Sequence, residues 1–216
     1  MTNTKKWVLR LAVMPLNIAL LVAIAWYIFT REPRVFPAFL LWLAFSIYWG
    51  ISARNSAPSK TSESKASSVF HQIVLNIAII LLFAPLPGLR GWFLPQRLSL
   101  AVAGVLAQVG FIVLAIWARR HLGRNWSSAV RIGEGHALVR SGPYRLLRHP
   151  IYTAMLGMFL GTALASGQYH ALLGFALLLV AYLRKTRMEE QILRETFGAE
   201  YDTYRQHTWA LVPLVF

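Results

Sequence analysis

The chain has 216 residues, of which 56% are hydrophobic and 14% charged, and carries a formal net charge of +14; its mean hydropathy is +0.49. So few polar groups cannot cover a water-soluble globule, which places the chain among integral membrane proteins. It contains no cysteine, excluding disulfides, thiolate metal sites and cysteine nucleophiles.

Lys5 and Lys6 precede an apolar run from Trp7 to Phe29 that is longer than the roughly 7–15 residues of a signal-peptide core. It reads as a retained first span. A second run, Phe36 to Ile51, is shorter than the roughly 20 residues a perpendicular helix needs. Residues 55–68 are Ser-rich, lack apolar periodicity and read as a mobile loop. Third and fourth spans follow at Val69 to Leu86 and Leu98 to Ala118. Pro85, Pro87, Gly88, Gly91 and Pro95 fall at a span end rather than midway through one, and no internal repeat is evident, which argues against a duplicated transporter. These four spans make up an expected N-terminal region, 1–118.

The remaining residues, 119–216, change character. Arg119 to Arg131 is polar with aromatic punctuation and Gly133-Glu134-Gly135 marks a turn; Leu138 and Val139 are apolar enough to dock as a short strand or an interfacial helix. Two short apolar runs, Ile151 to Ser166 and His170 to Leu183, are joined only by Gly167-Gln168-Tyr169, which predicts a tight helical hairpin that crosses or re-enters. Thr186 to Gln206 then reads as a cytoplasmic helix, with Leu193, Phe197, Tyr201 and Tyr204 recurring every three or four residues. The expected fold is all-α: a polytopic transmembrane helical bundle of five or six spans, with a cofactor pocket on its cytoplasmic side.

A pI near 10.9 is the footprint of many nucleic-acid binders, but the distribution of charge has another source. With six crossings and the amino terminus inside, eighteen of the twenty-two Lys and Arg lie on the inner side and only Arg31, Arg34, Arg90 and Arg97 outside. The positive-inside rule absorbs most of the basicity without a nucleic-acid partner. The lipid bilayer is the expected partner, in a multi-pass protein of a prokaryotic cytoplasmic membrane; the chain does not specify an oligomeric state.

Residues 142–153, Gly-Pro-Tyr-Arg-Leu-Leu-Arg-His-Pro-Ile-Tyr-Thr, form a cationic, aromatic, turn-forming knot between apolar stretches. Arg145, Arg148 and His149 offer donors to an anion, and Pro150 at a helix start leaves the N–H groups of Ile151 and Tyr152 free for a carboxylate or phosphate. Taken singly, the arginines are ordinary positive-inside residues; with Tyr144 and Tyr152 beside them they read as a site. Glu190 lies four residues before Arg194, the spacing of a solvated surface pair worth about 0.3–0.5 kcal/mol. Glu189 continues the Leu193–Phe197 stripe, so its carboxylate is expected to face arginine or the hydroxyls of a ligand. Gly157, Gly161 and Ala165 form a small-residue stripe that lets a neighbouring helix approach. His71, His121, His136, His170 and His207 lack metal-ligand spacing, and no metal site is expected. Trp92, Trp126 and Trp209 read as interface anchors.

Five blocks in order, Leu122 to Trp126, His136 to Arg145, Arg148 to Tyr152, Glu189 to Leu193 and Phe197 to Tyr204, resemble the isoprenylcysteine carboxyl methyltransferase and phospholipid methyltransferase superfamily of integral-membrane enzymes. One departure is Ala154, where the family's Arg-His-Pro-x-Tyr-x-Gly pattern has glycine. The resemblance implies S-adenosyl-L-methionine as methyl donor and a cofactor pocket of His136, Tyr144, Arg148, His149, Pro150, Tyr152, Glu189 and Glu190. Arg148, Glu189 and Arg205 are its implied catalytic residues, with Arg205 orienting an acidic acceptor. The implied reaction is methyl transfer to a lipidic, membrane-embedded acceptor, with O-methylation of an isoprenylcysteine-type carboxylate first and phospholipid N-methylation second. A third alternative is the NADPH-dependent membrane sterol reductases, whose Trp-rich text before Arg-His is missing here. A non-enzymatic relative is disfavoured by the intact Arg148-His149 and Glu189-Glu190 pairs.

Overall fold

The computed structural model describes residues 25–53, 60–61, 64–84, 86, 88–123, 131–132 and 138–213. His136, Trp126 and most of the first expected span lie outside them. Helices α1 (25–31), α2 (Phe36–Ala53), α3 (Lys65–Phe83), α4 (Leu98–Leu122), α5 (Pro150–Ser166), α6 (Tyr169–Phe197) and α7 (Ala199–Gln206) account for nearly all the secondary structure. Two two-residue strands, β1 (Lys60–Thr61) and β2 (Arg131–Ile132), pair antiparallel. The fold is therefore the expected all-helical bundle. Within the Ser-rich stretch β1 occupies Lys60–Thr61 and α3 begins at Lys65, with the Ser64 hydroxyl accepting from Ser67 N at 3.2 Å. The short strand of the polar segment falls at Arg131–Ile132 rather than at Leu138-Val139.

Helices α2, α3 and α4 are long and apolar enough to cross a membrane. Residues such as Ile47, Ile51, Val69, Ile73, Leu106 and Val113 stand exposed along them, as a lipid-facing surface requires. This is an integral membrane protein. Helix α5 is shorter for a different reason than thin flanks: it is the buried centre of the bundle, packed against α3, α4 and α6. The small-residue stripe makes that possible. A Cβ on Gly161 would lie 2.6 Å from the Gly104 carbonyl oxygen of α4, and one on Gly157 would overlap the Phe111 ring. Polar cross-links remove the remaining freedom, Gln108 donating to the Ala38 carbonyl at 3.1 Å and the Trp42 indole to the Thr162 hydroxyl at 3.1 Å.

Gly167 adopts the left-handed conformation (φ 70°) in the turn between α5 and α6, where its carbonyl accepts from Phe93 N at 2.9 Å. The expected hairpin is thus present and is tied to the α3–α4 connection. Its second helix does not end near Leu183, however: α6 runs unbroken to Phe197, and the separate helix expected from Thr186 is the end of α6 plus α7, divided at Gly198 (φ 53°). Nothing between Leu183 and Thr186 stops a helix, whereas Gly198 is a helix-ending residue.

Candidate active site

The knot sits at the end of the bundle opposite the α5–α6 turn. Gly142 opens a single 3-10 turn, Gly142–Arg145, at φ 59°, and a Cβ there would meet the His121 ring at 2.8 Å. That turn buries Tyr144 against Ala118 and Ile151, and its carbonyl accepts from the Tyr204 hydroxyl at 2.7 Å. Below it Arg119 clamps two helix ends, donating to the Ser52 carbonyl at 2.6 Å and the Gly123 carbonyl at 2.7 Å. Pro150 is the first residue of α5 as expected, and the first intrahelical bond is Thr153 N to the His149 carbonyl. Ile151 and Tyr152 therefore have no acceptor within the helix.

The chain beyond α7 returns to the knot. Trp209 N donates to the Leu146 carbonyl at 3.1 Å, Arg148 N to the Trp209 carbonyl at 2.8 Å and His149 N to the Ala210 carbonyl at 3.1 Å. Trp209 is thus held through its backbone, a role beyond interface anchoring. The Arg148 guanidinium completes this junction: Nε donates to Glu190 Oε1 at 2.7 Å, and Nη1 to the carbonyls of Thr208 and, at 3.2 Å, Arg205. Most of its donors are used within the protein.

Glu190 is accordingly no surface residue paired with Arg194, which instead binds Asp202 at 2.6 Å. Its partners are Arg148, His149 Nε2 at 3.5 Å and Arg205 Nε at 3.5 Å. The spacing rule considered only its own helix, while the knot and α7 approach from elsewhere. Burial opposes ionisation of this carboxyl, but hydrogen bonds from His149 and Arg148 and their charges prevail and hold it at about 2.

Glu189 faces the knot too, Oε2 lying 3.2 Å from His149 Nδ1. Burial again pulls its titration upward, and again the His149 bond and charge, with Tyr152 and Lys185, bring the net shift down. Burial favours neutral His149, yet the two glutamates outweigh it and raise the imidazole above its ordinary range. The Tyr144 hydroxyl is pushed up by burial and then by the Glu189 charge. His149 stacks flat on Tyr152 (centroids 5.4 Å, interplanar 2°), and Tyr152 on Tyr182 of α6 (4.8 Å, 30°).

Of the expected site residues, Tyr144, Arg148, His149, Pro150, Tyr152, Glu189, Glu190 and Arg205 come together, while Arg145 is exposed. Sequence reasoning passed over Lys185, Thr186 and Tyr201. Lys185, buried and 6.0 Å from the Tyr152 ring centroid, was counted only as an inner-side cation; its position four residues before Glu189, hence on the same helix face, was the available signal. Among the described residues, Glu189 Oε2, His149 Nε2, Thr186 Oγ1 and the Tyr201 hydroxyl are buried without an aligned hydrogen-bond partner. The Glu189 side chain nevertheless keeps 29% of its surface accessible, against 15% for Glu190 and 9% for Arg148. The arrangement can hold a polar molecule that brings donors to Glu189 and a flat or cationic group to the tyrosines.

A bundle with a lipid-facing surface and a cluster of charged and tyrosine side chains at one end defines an integral membrane protein. Residues 99–200 match the phospholipid methyltransferase family. Over 96 residues the chain is 33% identical to the probable protein-S-isoprenylcysteine O-methyltransferase of Oryza sativa subsp. indica, covering 43% of this chain and 50% of that protein. Over 178 residues it is 27% identical to protein-S-isoprenylcysteine O-methyltransferase B of Arabidopsis thaliana, covering 80% and 85%. It is also 32% identical over 148 residues to the cobalt-zinc-cadmium resistance protein CzcN of Cupriavidus metallidurans, covering 67% and 62%. The chain thus spans half the length of the rice protein it matches. The chain is thus similar, chiefly in its second half, to the phospholipid methyltransferase family and to the protein-S-isoprenylcysteine O-methyltransferases.

Proposed function

We propose that the protein is an S-adenosylmethionine-dependent methyltransferase acting on a membrane-partitioned acceptor, by O-methylation of a carboxylate of the isoprenylcysteine type. The observation that carries this reading is the cluster of His149, Tyr152, Glu189 and Glu190, whose orphaned buried polar atoms fit the donor's amino-acid and ribose groups. Glu189 would take ligand hydroxyls or ammonium and the start of α5 at Ile151 and Tyr152 a carboxylate, with Tyr144 beside the adenine. His149 and Glu190 would orient Glu189 and Tyr152, and Arg148 would hold the knot against α6 and the chain after α7. His136, outside the described residues, stays in the proposed pocket on the resemblance alone. When bound, the donor supplies a methyl group already activated by a cationic sulfur, so positioning and exclusion of water are what the protein must add.

The acid–base state of the cluster favours a carboxylate acceptor over an amine. An ammonium must lose a proton before it can attack, but both glutamates are held as weakly basic carboxylates and His149 is held towards its protonated form. A carboxylate needs no base. The asymmetry of the basic residues supports a pocket on the cytoplasmic side of the membrane.

Calorimetry on the purified protein tests the reading. Saturable binding of S-adenosylmethionine or S-adenosylhomocysteine is expected, weakened by about 1.5–3 kcal/mol in Glu189→Gln, the range for hydrogen bonds to charged groups, and unchanged in Arg145→Ala. Saturable binding of NADPH with no response to either methyl-donor ligand would move the protein to the reductases.

A further inference from the structure

We propose that the end of the bundle opposite the knot binds an anionic diacyl phospholipid, its phosphate taken by Arg34 and Arg97 with Arg31 and Arg90 beside them, a property separate from methyl transfer.

These four arginines are the ones that a six-crossing arrangement separates from the other eighteen basic residues. The fold gathers them at one end. Arg31 and Arg34 flank the turn between α1 and α2, and Arg90 and Arg97 lie in the connection between α3 and α4. The Arg34 guanidinium donates to the Gln96 side chain and lies over Trp92, 5.9 Å from the ring centroid. The two connections are therefore joined next to Arg97. Both are tied to the α5–α6 turn, where Trp92 pairs with Gln168 and Tyr169 N donates to the Gly91 carbonyl at 3.0 Å. A neutral amide and an aromatic face orient Arg34 without neutralising it.

The one carboxylate at this end is committed elsewhere. Glu32 accepts from Gln168 Nε2 at 2.7 Å, and Gln168 in turn contacts the buried His170, so this acid is engaged towards the interior. Residues 25–35, 84–98 and 166–170 together carry four arginines and one glutamate. Among the described residues none of the four arginines is in an ion pair. The anion that answers them has to come from outside the chain.

Their depth identifies its source. Trp26, Trp92 and Tyr169 stand exposed at this same end, and exposed Trp and Tyr of a membrane protein sit at the level of the headgroups. The lipid-facing helices α2 and α4 begin here and α3 ends here. The arginines thus lie among lipid phosphates, whose oxygens match the fork of guanidinium donors. A zwitterionic lipid brings an ammonium that the excess of arginine disfavours, whereas phosphatidylglycerol brings its phosphate charge alone. A bound headgroup would bridge the two connections and stabilise the fold by mass action.

The test is a lipid titration of the full chain in neutral detergent, followed by thermal unfolding and by native mass spectrometry, with phosphatidylglycerol, phosphatidylcholine, inorganic phosphate and glycerol 3-phosphate as probes. Saturable stabilisation by phosphatidylglycerol is expected, with phosphatidylcholine at least about tenfold weaker and the two soluble phosphates without effect at the same concentrations. Arg97→Gln, which removes no contact within the described residues, should weaken phosphatidylglycerol binding about fivefold, the effect of one basic residue at an anionic surface, and Arg34→Gln with Arg97→Gln about 25-fold. Arg145→Ala, an exposed arginine at the other end, should leave the affinity unchanged. Equal affinity for the two lipids, full affinity in Arg97→Gln, or an equal loss in Arg145→Ala would each overturn the proposal. Stabilisation by inorganic phosphate equal to that by phosphatidylglycerol would overturn the lipid assignment in favour of a soluble anion.

Discussion

Replacing Glu190 by alanine separates the structure's account of this residue from its appearance in sequence. A solvated partner of Arg194 would contribute about 0.3–0.5 kcal/mol. In the structure the carboxylate binds Arg148, whose side chain is only 9% exposed, and approaches His149 and Arg205. Removing one member of a buried pair costs about 3–5 kcal/mol, because the other is left desolvated and unmatched. The carboxyl is held at about 2 by the same contacts, against an ordinary value of 4.5, so the fold favours its ionised, paired form. Glu190→Ala is therefore expected to lose about 3 kcal/mol in denaturant titrations in detergent, with early proteolysis near residues 205–210, where Arg148 holds the backbone. Adding Arg148→Met should recover part of the loss by removing the stranded charge. A loss below about 0.5 kcal/mol in Glu190→Ala, the size of a surface pair, with no recovery in the double variant, would refute the buried-pair argument.

Gly104→Ala and Gly161→Ala should each cost about 1–3 kcal/mol by forcing α4 and α5 apart, whereas Gly110→Ala, with nothing within 4 Å of the new Cβ, should be neutral or slightly stabilising; thermal unfolding of the three variants checks this. Stability should depend on pH through the knot. Glu190, depressed in the fold, contributes fully above its ordinary value of 4.5 and loses its contribution as pH falls towards about 2; His149, raised, contributes fully below 6.5 and loses its contribution as pH rises through its folded value. His149→Gln should abolish the alkaline decline, and an unchanged decline would assign it elsewhere. Cysteines placed at Ser62 and Gly167 should label from opposite sides of the membrane if the chain crosses six times with both termini inside; labelling from one side would make the α5–α6 hairpin re-entrant.

Much of the site was legible because its chemistry is local. Gly142-Pro143 and His149-Pro150 mark a turn and a helix start by backbone rules alone, and Gly157, Gly161 and Ala165 announce a close helix contact by spacing alone. What depends on distant partners was not legible. The i,i+4 rule pairs Glu190 with Arg194 because it sees one helix, yet Arg148 lies 42 residues away and Arg194 is taken by Asp202. Carbonyl bonds from Arg148 to Arg205 and Thr208 leave no trace in side-chain pattern. Lys185 was concealed by the positive-inside rule, which explains the presence of cations near a membrane boundary without asking which of them turn inward. The extent of α6 was missed for a related reason: the apolar pattern stops near Leu183, but a helix continues until its backbone is interrupted, here at Gly198.

That continuity carries a mechanistic consequence. Tyr182, Lys185 and Glu189 occupy one rigid helix, so their spacing is fixed by helix geometry, about 1.5 Å per residue along the axis. Their height within the bundle is fixed where Gly174 packs on Ala78 and Leu81 of α3. The knot, by contrast, is irregular backbone and needs external support, which Arg148, Arg119 and the chain after α7 provide. The charged groups thus divide by task. Those that stabilise the knot are bound to protein carbonyls and to Glu190. Glu189, set on the rigid helix with 29% of its side-chain surface accessible, is the member of the cluster least committed to holding the knot.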